Sequence, residues 1–414
     1  MRMVFLTFFL LGIFLFGLLP VTALEGATEK SYNGTGKLVA TYGEGKLYQY
    51  GSLNVVELHG NYREMGRQYG ALRKDILNDI YSQMTKNTAL LYAAGDLTSR
   101  EEEEKQVYAA YPNYNDIMMG ISETSGLGDK TYLTCSMIQL FHILISDSSP
   151  GQCSFGAVWG HYTSNSELVV GRNFDLSHVM SNYSEIVVYN PDDGSIPVAN
   201  IGYVGSVYMT SGFNREGLFL SKNDGDESYE ELQAQNKTSN NKSSAKKIDT
   251  YLELFQLVQE SANTKQLDRN FASANTTIGS IINVADKTGA FSYEWIPDKY
   301  KKRAPQDNGL LVATNNFVDP SWGLKIPFPG SSNDTGQSIL RMDNLLIMSL
   351  QNKGNITPEF MMQMMSTPVS DGGPFFPTYT TYQMVVEPQD LKLWFKVPGY
   401  YNWTEVNLKN HFDA

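Results

Sequence analysis

Cysteine is nearly missing from this chain: 414 residues hold two, Cys135 and Cys153. Two sulfurs make no disulfide framework, so a packed core must hold the fold, and this length can fill one large domain or two. Histidine is scarce too, with five residues and no His-x-x-x-His or Cys-x-x-Cys spacing, so neither a metal nor a cofactor is expected. Basic residues are in deficit. Against 44 Asp and Glu stand 32 Lys and Arg, a formal charge of −12 with no basic stripe, which argues against nucleic acid as a partner. No period of roughly 20 to 50 residues recurs, which excludes solenoids and propellers.

The first 23 residues read as a secretory signal. Arg2 is the only early charge, an apolar run starts at Met3, and Val21, Thr22 and Ala23 suit a signal peptidase. An uncleaved signal anchor is the alternative, since the run approaches the roughly 20 residues that span a bilayer. Eight Asn-X-Ser/Thr sequons begin at Asn33, Asn182, Asn236, Asn241, Asn275, Asn333, Asn355 and Asn402, which fits a glycoprotein made outside the cytosol.

The order of elements is α+β. Lys46 to Gly60 reads as strand and turn, and Met65, Tyr69, Leu72, Ile76 and Ile80 share one helical face. Thr98 opens another helix, and 131–145 is an apolar third that stops at the breaker Ser148, Ser149, Pro150, Gly151. From Cys153 the pattern turns to short strands: 153–161, 168–176, 185–190, 197–208, 217–223, 278–286, 289–296, 309–314, 381–387 and 391–397. Helices with Tyr251, Leu254, Phe255 and Val258, and with Ile339, Met342 and Leu346, interrupt them. The polar stretch 226–247 reads as a surface insertion or linker.

Cys153 heads a strand whose hairpin partner, turning about Ser164 and Asn165, returns Arg172 and Asp175 beside it. Scission before Cys153 would give the thiol its own α-amine, whose ordinary pKa of about 7.7–8.0 suits it to take the thiol proton. Arg172 would favour the thiolate and Asp175 would hold the amine. The two lie three residues apart, so a flat strand puts them on opposite faces and a bulge or strand end is required. A Cys-His pair using His161 or His178 is a rival, and a Cys135–Cys153 disulfide is the bland alternative. Asn223 and Asn315 close apolar runs and can offer side-chain amides to an oxyanion, although asparagine at a strand end is often turn chemistry. Arg341 could support the site from its helix.

Taken together, Cys153-Ser154-Phe155, Gly171 to Asp175, Gly212 to Gly217, Thr314-Asn315-x-Phe317 and Ser338 to Arg341 resemble the cysteine-type N-terminal nucleophile (Ntn) hydrolases. That group includes choloylglycine hydrolases, penicillin V acylases, acid ceramidase and penicillin acyltransferases. Val56 to Gly60 followed by Glu64 to Gly70 is similar to the propeptide of the acyltransferase branch. The resemblance implies a four-layer αββα sandwich preceded by a mainly helical propeptide or α-chain. It implies autocatalytic cleavage before Cys153, with 24–152 as α-chain and 153–414 as catalytic β-chain, the two remaining associated. Cys153, Arg172, Asp175, Asn223, Asn315 and Arg341 match its site residues. Gln152 departs from the small residue expected before the nucleophile.

The expected activity is hydrolysis of a linear N-acyl amide, a small molecule with an apolar or aromatic acyl group, in a secreted or lysosome-like compartment. Acyl transfer to an amine or thiol uses the same residues, and a non-catalytic secreted binding glycoprotein is the reading from another class.

Overall fold

A computed structural model describes residues 32–86, 96–135, 152–176, 178–235, 237–238 and 248–413. The expected signal at 1–23 and residues 136–145 of the expected third helix lie outside the described residues. Among those described, no helix is long and apolar enough to cross a membrane.

Sixteen strands in the described residues form two sheets. In chain order they are β1 (Lys37–Tyr42), β2 (Gly45–Tyr50), β3 (Leu53–Gly60), β4 (Gln152–Gly160), β5 (Ser166–Asp175), β6 (Ser184–Pro191), β7 (Val198–Tyr203) and β8 (Ser211–Asn214). There follow β9 (Phe219–Asp224), β10 (Ser280–Asp286), β11 (Gly289–Ile296), β12 (Lys299–Arg303), β13 (Leu310–Ala313), β14 (Thr380–Glu387), β15 (Lys392–Val397) and β16 (Tyr401–Asn407). The larger sheet runs β1-β2-β3-β6-β7-β8-β9-β10-β11-β12, the smaller β13-β4-β5-β14-β15-β16.

The inner faces of the two sheets meet. Along β4, Cys153, Phe155 and Ala157 point one way, and the Phe155 ring lies 6.5 Å from Phe219 of the larger sheet. Val158 points the other way, into a second core with Val169, Leu310, Val312 and Val385. Two helices, α8 (Ser338–Gln351) and α9 (Pro358–Ser366), cover that outer face with Leu345, Met361, Met364 and Met365. Close approach of α9 needs Gly171, where a Cβ would sit 2.6 Å from the Met361 sulfur.

The far face of the larger sheet is covered by α1 (Tyr62–Leu72), α4 (Pro112–Thr124), α6 (Thr250–Gln259) and α7 (Thr264–Phe271); α2 (Lys74–Lys86), α3 (Leu97–Tyr108) and α5 (Asp226–Ala234) complete the α-helices among the described residues. Phe255 of α6 stacks on Tyr114 at 4.7 Å and meets Tyr189 of β6 edge-on. The order helix, sheet, sheet, helix is the αββα layering expected.

The segment ahead of Cys153, which carries α1 to α4, is also built into the larger sheet. It supplies β1, β2 and β3, and β3 pairs parallel with β6 from Asn54↔Glu185 to Gly60↔Pro191. Leu53, Val55, Val56 and Leu58 are wholly buried there. Its helices α1 and α4 cross in backbone contact through Gly66 and Gly120, whose added Cβ atoms would lie 2.2 Å from the Ile117 and 2.1 Å from the Arg63 carbonyl oxygen.

Two expectations change in detail. The single helix read through Met65 and Ile80 is broken at Arg73 into α1 and α2. The polar stretch from Asp226 begins as α5, with Asp226 and Glu227 in its first turn, where helix N–H groups favour acids; residues 239–247 lie outside the described residues.

Candidate active site

The hairpin of β4 and β5 forms as the spacing suggests, with Gly160 opposite Ser166 and Phe174 opposite Cys153. Strand parity then does what flat geometry demands. Arg172 and Phe174 face the larger sheet, whereas Asn173 and Asp175 face the helix layer, where Asn173 donates to the Met365 carbonyl at 3.0 Å. Asp175 is the last residue of β5, and the register shift falls on its neighbour β14 between Thr380 and Tyr382. Cys153 therefore sits at a strand end with one guanidinium on each side.

On the inner side, Arg172 lies with a terminal nitrogen 3.8 Å from the Cys153 Sγ. It also donates to Asn223 Oδ1 and to the Lys222 carbonyl, each at 2.8 Å. On the outer side, Arg341 of α8 donates to the Cys153 carbonyl at 2.7 Å, Ser154 Oγ at 2.8 Å, Asn315 Oδ1 at 2.9 Å and the Gly336 carbonyl at 3.0 Å. Asp175 Oδ2 lies 3.8 Å from Arg341, and Oδ1 accepts from Thr380 Oγ1 at 2.6 Å. All six residues named from the sequence converge here.

Asn315 holds the peptide nitrogen: the Cys153 N–H donates to its Oδ1 at 2.9 Å. The two asparagines also clasp the sheets together. Asn223, on β9, donates Nδ2 to the carbonyls of Ala313 at 3.3 Å and Thr314 at 2.9 Å; Asn315, just past β13, donates Nδ2 to the Asp224 carbonyl at 2.9 Å. Both Asn223 amide hydrogens are thus committed to main chain. It braces the site in this arrangement, and donation to an oxyanion would require one bond, the longer one to Ala313, to yield.

Burial dominates the electrostatics. The Cys153 thiol, 4% exposed, is raised above the ordinary cysteine range by desolvation, with Arg172 opposing that rise. Desolvation pushes the Asp175 carboxyl up to about 7 against the pull of Arg341, Thr380 and Arg172. Both cysteines are unpaired thiols, so the disulfide alternative is not formed. Desolvation pushes Cys135 up to about 12, which makes it an inert buried thiol.

His161 does not approach the thiol. Its imidazole lies 3.9 Å from Asp307, at the opposite end of β4, about 26 Å along the strand from Cys153. Among the described residues, Glu167, Glu387 and Asp390 bring carboxylate oxygens within 4.8 Å of one another. That trio stands at the start of β5, remote from the thiol.

Sequence reasoning missed several contributors. Thr380 bonds Asp175, and Ser338 Oγ accepts the Asn315 N–H at 2.9 Å while donating to Thr314 Oγ1 at 3.1 Å. Asp334 accepts the N–H groups of Ile339 at 2.7 Å and Leu340 at 3.0 Å, which fixes the start of the helix that carries Arg341. Phe376 lies 5.5 Å from the Arg341 guanidinium. Ser338 and Thr314 fall inside motifs that carry the resemblance without being read as site residues, and a lone Thr or Asp before a strand or helix carries ordinary capping chemistry.

Fold and site together define an αββα sandwich with a cysteine at an inner strand end between two arginines. No family model and no curated protein matches the chain. Solved structures to which it is similar include a Caenorhabditis elegans N-acylethanolamine-hydrolyzing acid amidase ortholog, at 15% identity over 57% of this chain and 93% of that one, TM-score 0.39. A mutant of conjugated bile acid hydrolase from Clostridium perfringens is similar at 12% identity over 62% and 93%, TM-score 0.42. Penicillin V acylase from Agrobacterium tumefaciens is similar at 11% identity over 62% and 86%, TM-score 0.40. At such values the likeness names no activity, and function must be argued from the site.

Proposed function

We propose that this chain is a self-processing amidase whose nucleophile is Cys153 freed as an N-terminal residue. One observation carries the reading: the Cys153 N–H is held by Asn315 while its sulfur faces Arg172 and its carbonyl accepts from Arg341. Each atom that the chemistry would use has its own partner.

In processing, the sulfur adds to the Gln152 carbonyl carbon, and the C–N bond to Cys153 breaks as its nitrogen takes the thiol proton. Water then hydrolyses the thioester, leaving a carboxylate on Gln152 and an α-amine on Cys153. In turnover, that neutral amine accepts the thiol proton, and the thiolate attacks the acyl carbon of a linear amide. The amine product leaves with a proton, and a second water releases the acid. Asn315 Oδ1, by accepting one amine N–H, turns the nitrogen lone pair toward the sulfur. Arg172 stabilises the thiolate, Arg341 and Asp175 position the amine, and the Asn223 amide, once its longer bond to Ala313 yields, bears the oxyanion with Asn315.

The buried β3–β6 ladder supports continued association of the two pieces. Each of four wholly buried aliphatic side chains contributes about 1.5–3 kcal/mol, none of which scission at 152–153 would remove. Phe174, Tyr203 and Tyr382 beside the thiol favour an apolar or aromatic acyl group: the Phe174 ring lies 4.7 Å from Tyr382 and 6.3 Å from Tyr203.

The test is expression of wild type and Cys153→Ala, with N-terminal sequencing and a panel of N-acyl amides. Wild type should yield two fragments, one beginning at Cys153, and release acid and amine. Cys153→Ala should stay whole and inactive. An intact wild-type chain that hydrolyses the panel, or a cut chain indifferent to the substitution, would refute the reading. Added amine or thiol acceptors divide hydrolysis from acyl transfer.

A further inference from the structure

The Val56 to Gly60 motif is not used by the thiol site, yet it builds a second buried charge cluster. Glu57, 4% exposed, accepts from Lys46 Nζ at 2.6 Å and lies 2.9 Å from His59 Nε2 and 3.0 Å from His411 Nδ1. The other nitrogen of each imidazole is also engaged: His59 Nδ1 with Asp413 Oδ2 at 3.0 Å, His411 Nε2 with the Tyr50 hydroxyl at 2.8 Å. The two histidines differ in what they need. His411 can meet its partners with one proton, because Tyr50 O–H can donate to Nε2. His59 lies between two carboxylates, which only accept, so both of its nitrogens must donate and the ring must be an imidazolium.

We propose that His59 is a proton-operated latch fastening the segment Leu408 to Asp413 to the hairpin of β2 and β3 ahead of Cys153. It is closed while the ring carries two protons. When one leaves, either Glu57 or Asp413 faces a lone pair, and Asp413, whose side chain is 57% exposed, is the partner that water can take over. Besides the His411 ring, which Glu57 and Tyr50 hold, the segment is attached through groups that do not titrate: Asn190 donates to the His411 carbonyl at 2.9 Å and accepts the Asp413 N–H at 3.0 Å, and Arg215 donates to the Asp413 carbonyl at 2.9 Å. Around the same carboxylates stand Lys46 and Tyr48 from β2 and His411, while Gln68 of α1 bonds the His59 main chain at 2.9 Å through both N–H and carbonyl. Deprotonation therefore releases the Asp413 side chain and leaves the buried Leu408, His411 and Phe412 seated.

Pairing with Glu57 raises the His59 pKa above the ordinary histidine value, and Asp413 adds to this against burial. A basic group raised on folding contributes stability in full below about 6.5, lost as pH climbs through the folded value. The latch is therefore an acid-side device. It joins the pieces on either side of position 153, and it operates whether or not the chain is cut, so it stands apart from the proposed chemistry.

The experiment follows the full chain, carbon-13 labelled at histidine, from pH 5 to 8.5. The His59 resonance should titrate above 6.5 in wild type and lower in Asp413→Asn. In parallel, wild-type Tm should fall by about 2 °C across that step, and His59→Gln should lack the fall. If His59→Gln does not fold, Asp413→Asn, at a half-exposed side chain, supplies the comparison and should show a smaller fall. A His59 midpoint at or below 6.5, or identical Tm profiles in wild type and Asp413→Asn, would overturn the proposal.

Discussion

Two buried carboxylates in this molecule are driven in opposite directions by the same ingredients. Glu57, 4% exposed, is held well below the ordinary range because hydrogen bonds from His411, His59 and Lys46 outweigh its desolvation. Asp175, 1% exposed, is pushed up to about 7, because Arg341 stands 3.8 Å away and only Thr380 makes a close bond. Burial alone does not set a carboxyl's charge; the number of close donors does. The consequence is functional. A structural cluster keeps its anion, whereas the thiol site keeps a carboxyl poised near neutrality, where the proposed chemistry would have the Cys153 nitrogen exchange protons.

The largest effect should come from removing one cation at each place. Arg341→Leu strips Asp175 of its charge partner and leaves the Cys153 carbonyl and Asn315 Oδ1 short of a donor, a loss of about 3–5 kcal/mol. Lys46→Leu removes a 39% exposed partner of Glu57 while two imidazoles remain, and should cost about 0–1 kcal/mol. Urea unfolding measures both. Equal losses would erase the distinction between the clusters.

A smaller effect separates the two by sign. Asp175, an acid whose pKa rises on folding, makes the native state bind an extra proton between its ordinary 3.8 and about 7, so its contribution falls as pH climbs. Glu57, lowered on folding, contributes above its ordinary 4.5 and loses that contribution as pH drops. Asp175→Asn should therefore flatten the decline of stability from pH 4 to 7, and Glu57→Gln should flatten the acid-side loss below 4.5. Profiles shifted in the same direction would contradict the contrast.

The β4–β5 hairpin was legible because its signals are local: alternation, a polar turn and a count back to Cys153. Arg341 was readable as a residue and not as a partner, since it meets the Cys153 carbonyl across 188 positions. Thr380 meets Asp175 across 205. Such pairings are made by sheet order, which alternation does not encode. The missed strands have a different cause. Lys299 to Arg303 of β12 is an edge strand, and its lysines, which block edge pairing, erase the apolar alternation that marks an interior strand. In the segment ahead of Cys153, the strand reading of Lys46 to Gly60 covers most of β2 and all of β3, whereas β1, an exposed edge strand, shows no buried alternation.

The finest comparison lies within the thiol site, between its two arginines. Arg172 faces the sulfur at 3.8 Å and Arg341 faces the carbonyl at 2.7 Å, so they should govern different observables. Arg172→Lys keeps a positive charge but cannot reach Sγ, Asn223 and the Lys222 carbonyl together. With the cation drawn away from the sulfur, burial raises the thiol further, and alkylation of unprocessed protein by iodoacetamide should need about one pH unit more alkali for the same rate. Thr380→Val, the mildest change, removes one hydrogen bond from Asp175, costs about 1 kcal/mol and should leave the alkylation profile in place. If Thr380→Val moves that profile as far as Arg172→Lys does, the carboxyl and not the guanidinium sets the thiol, and the division of labour between the two faces of β5 fails.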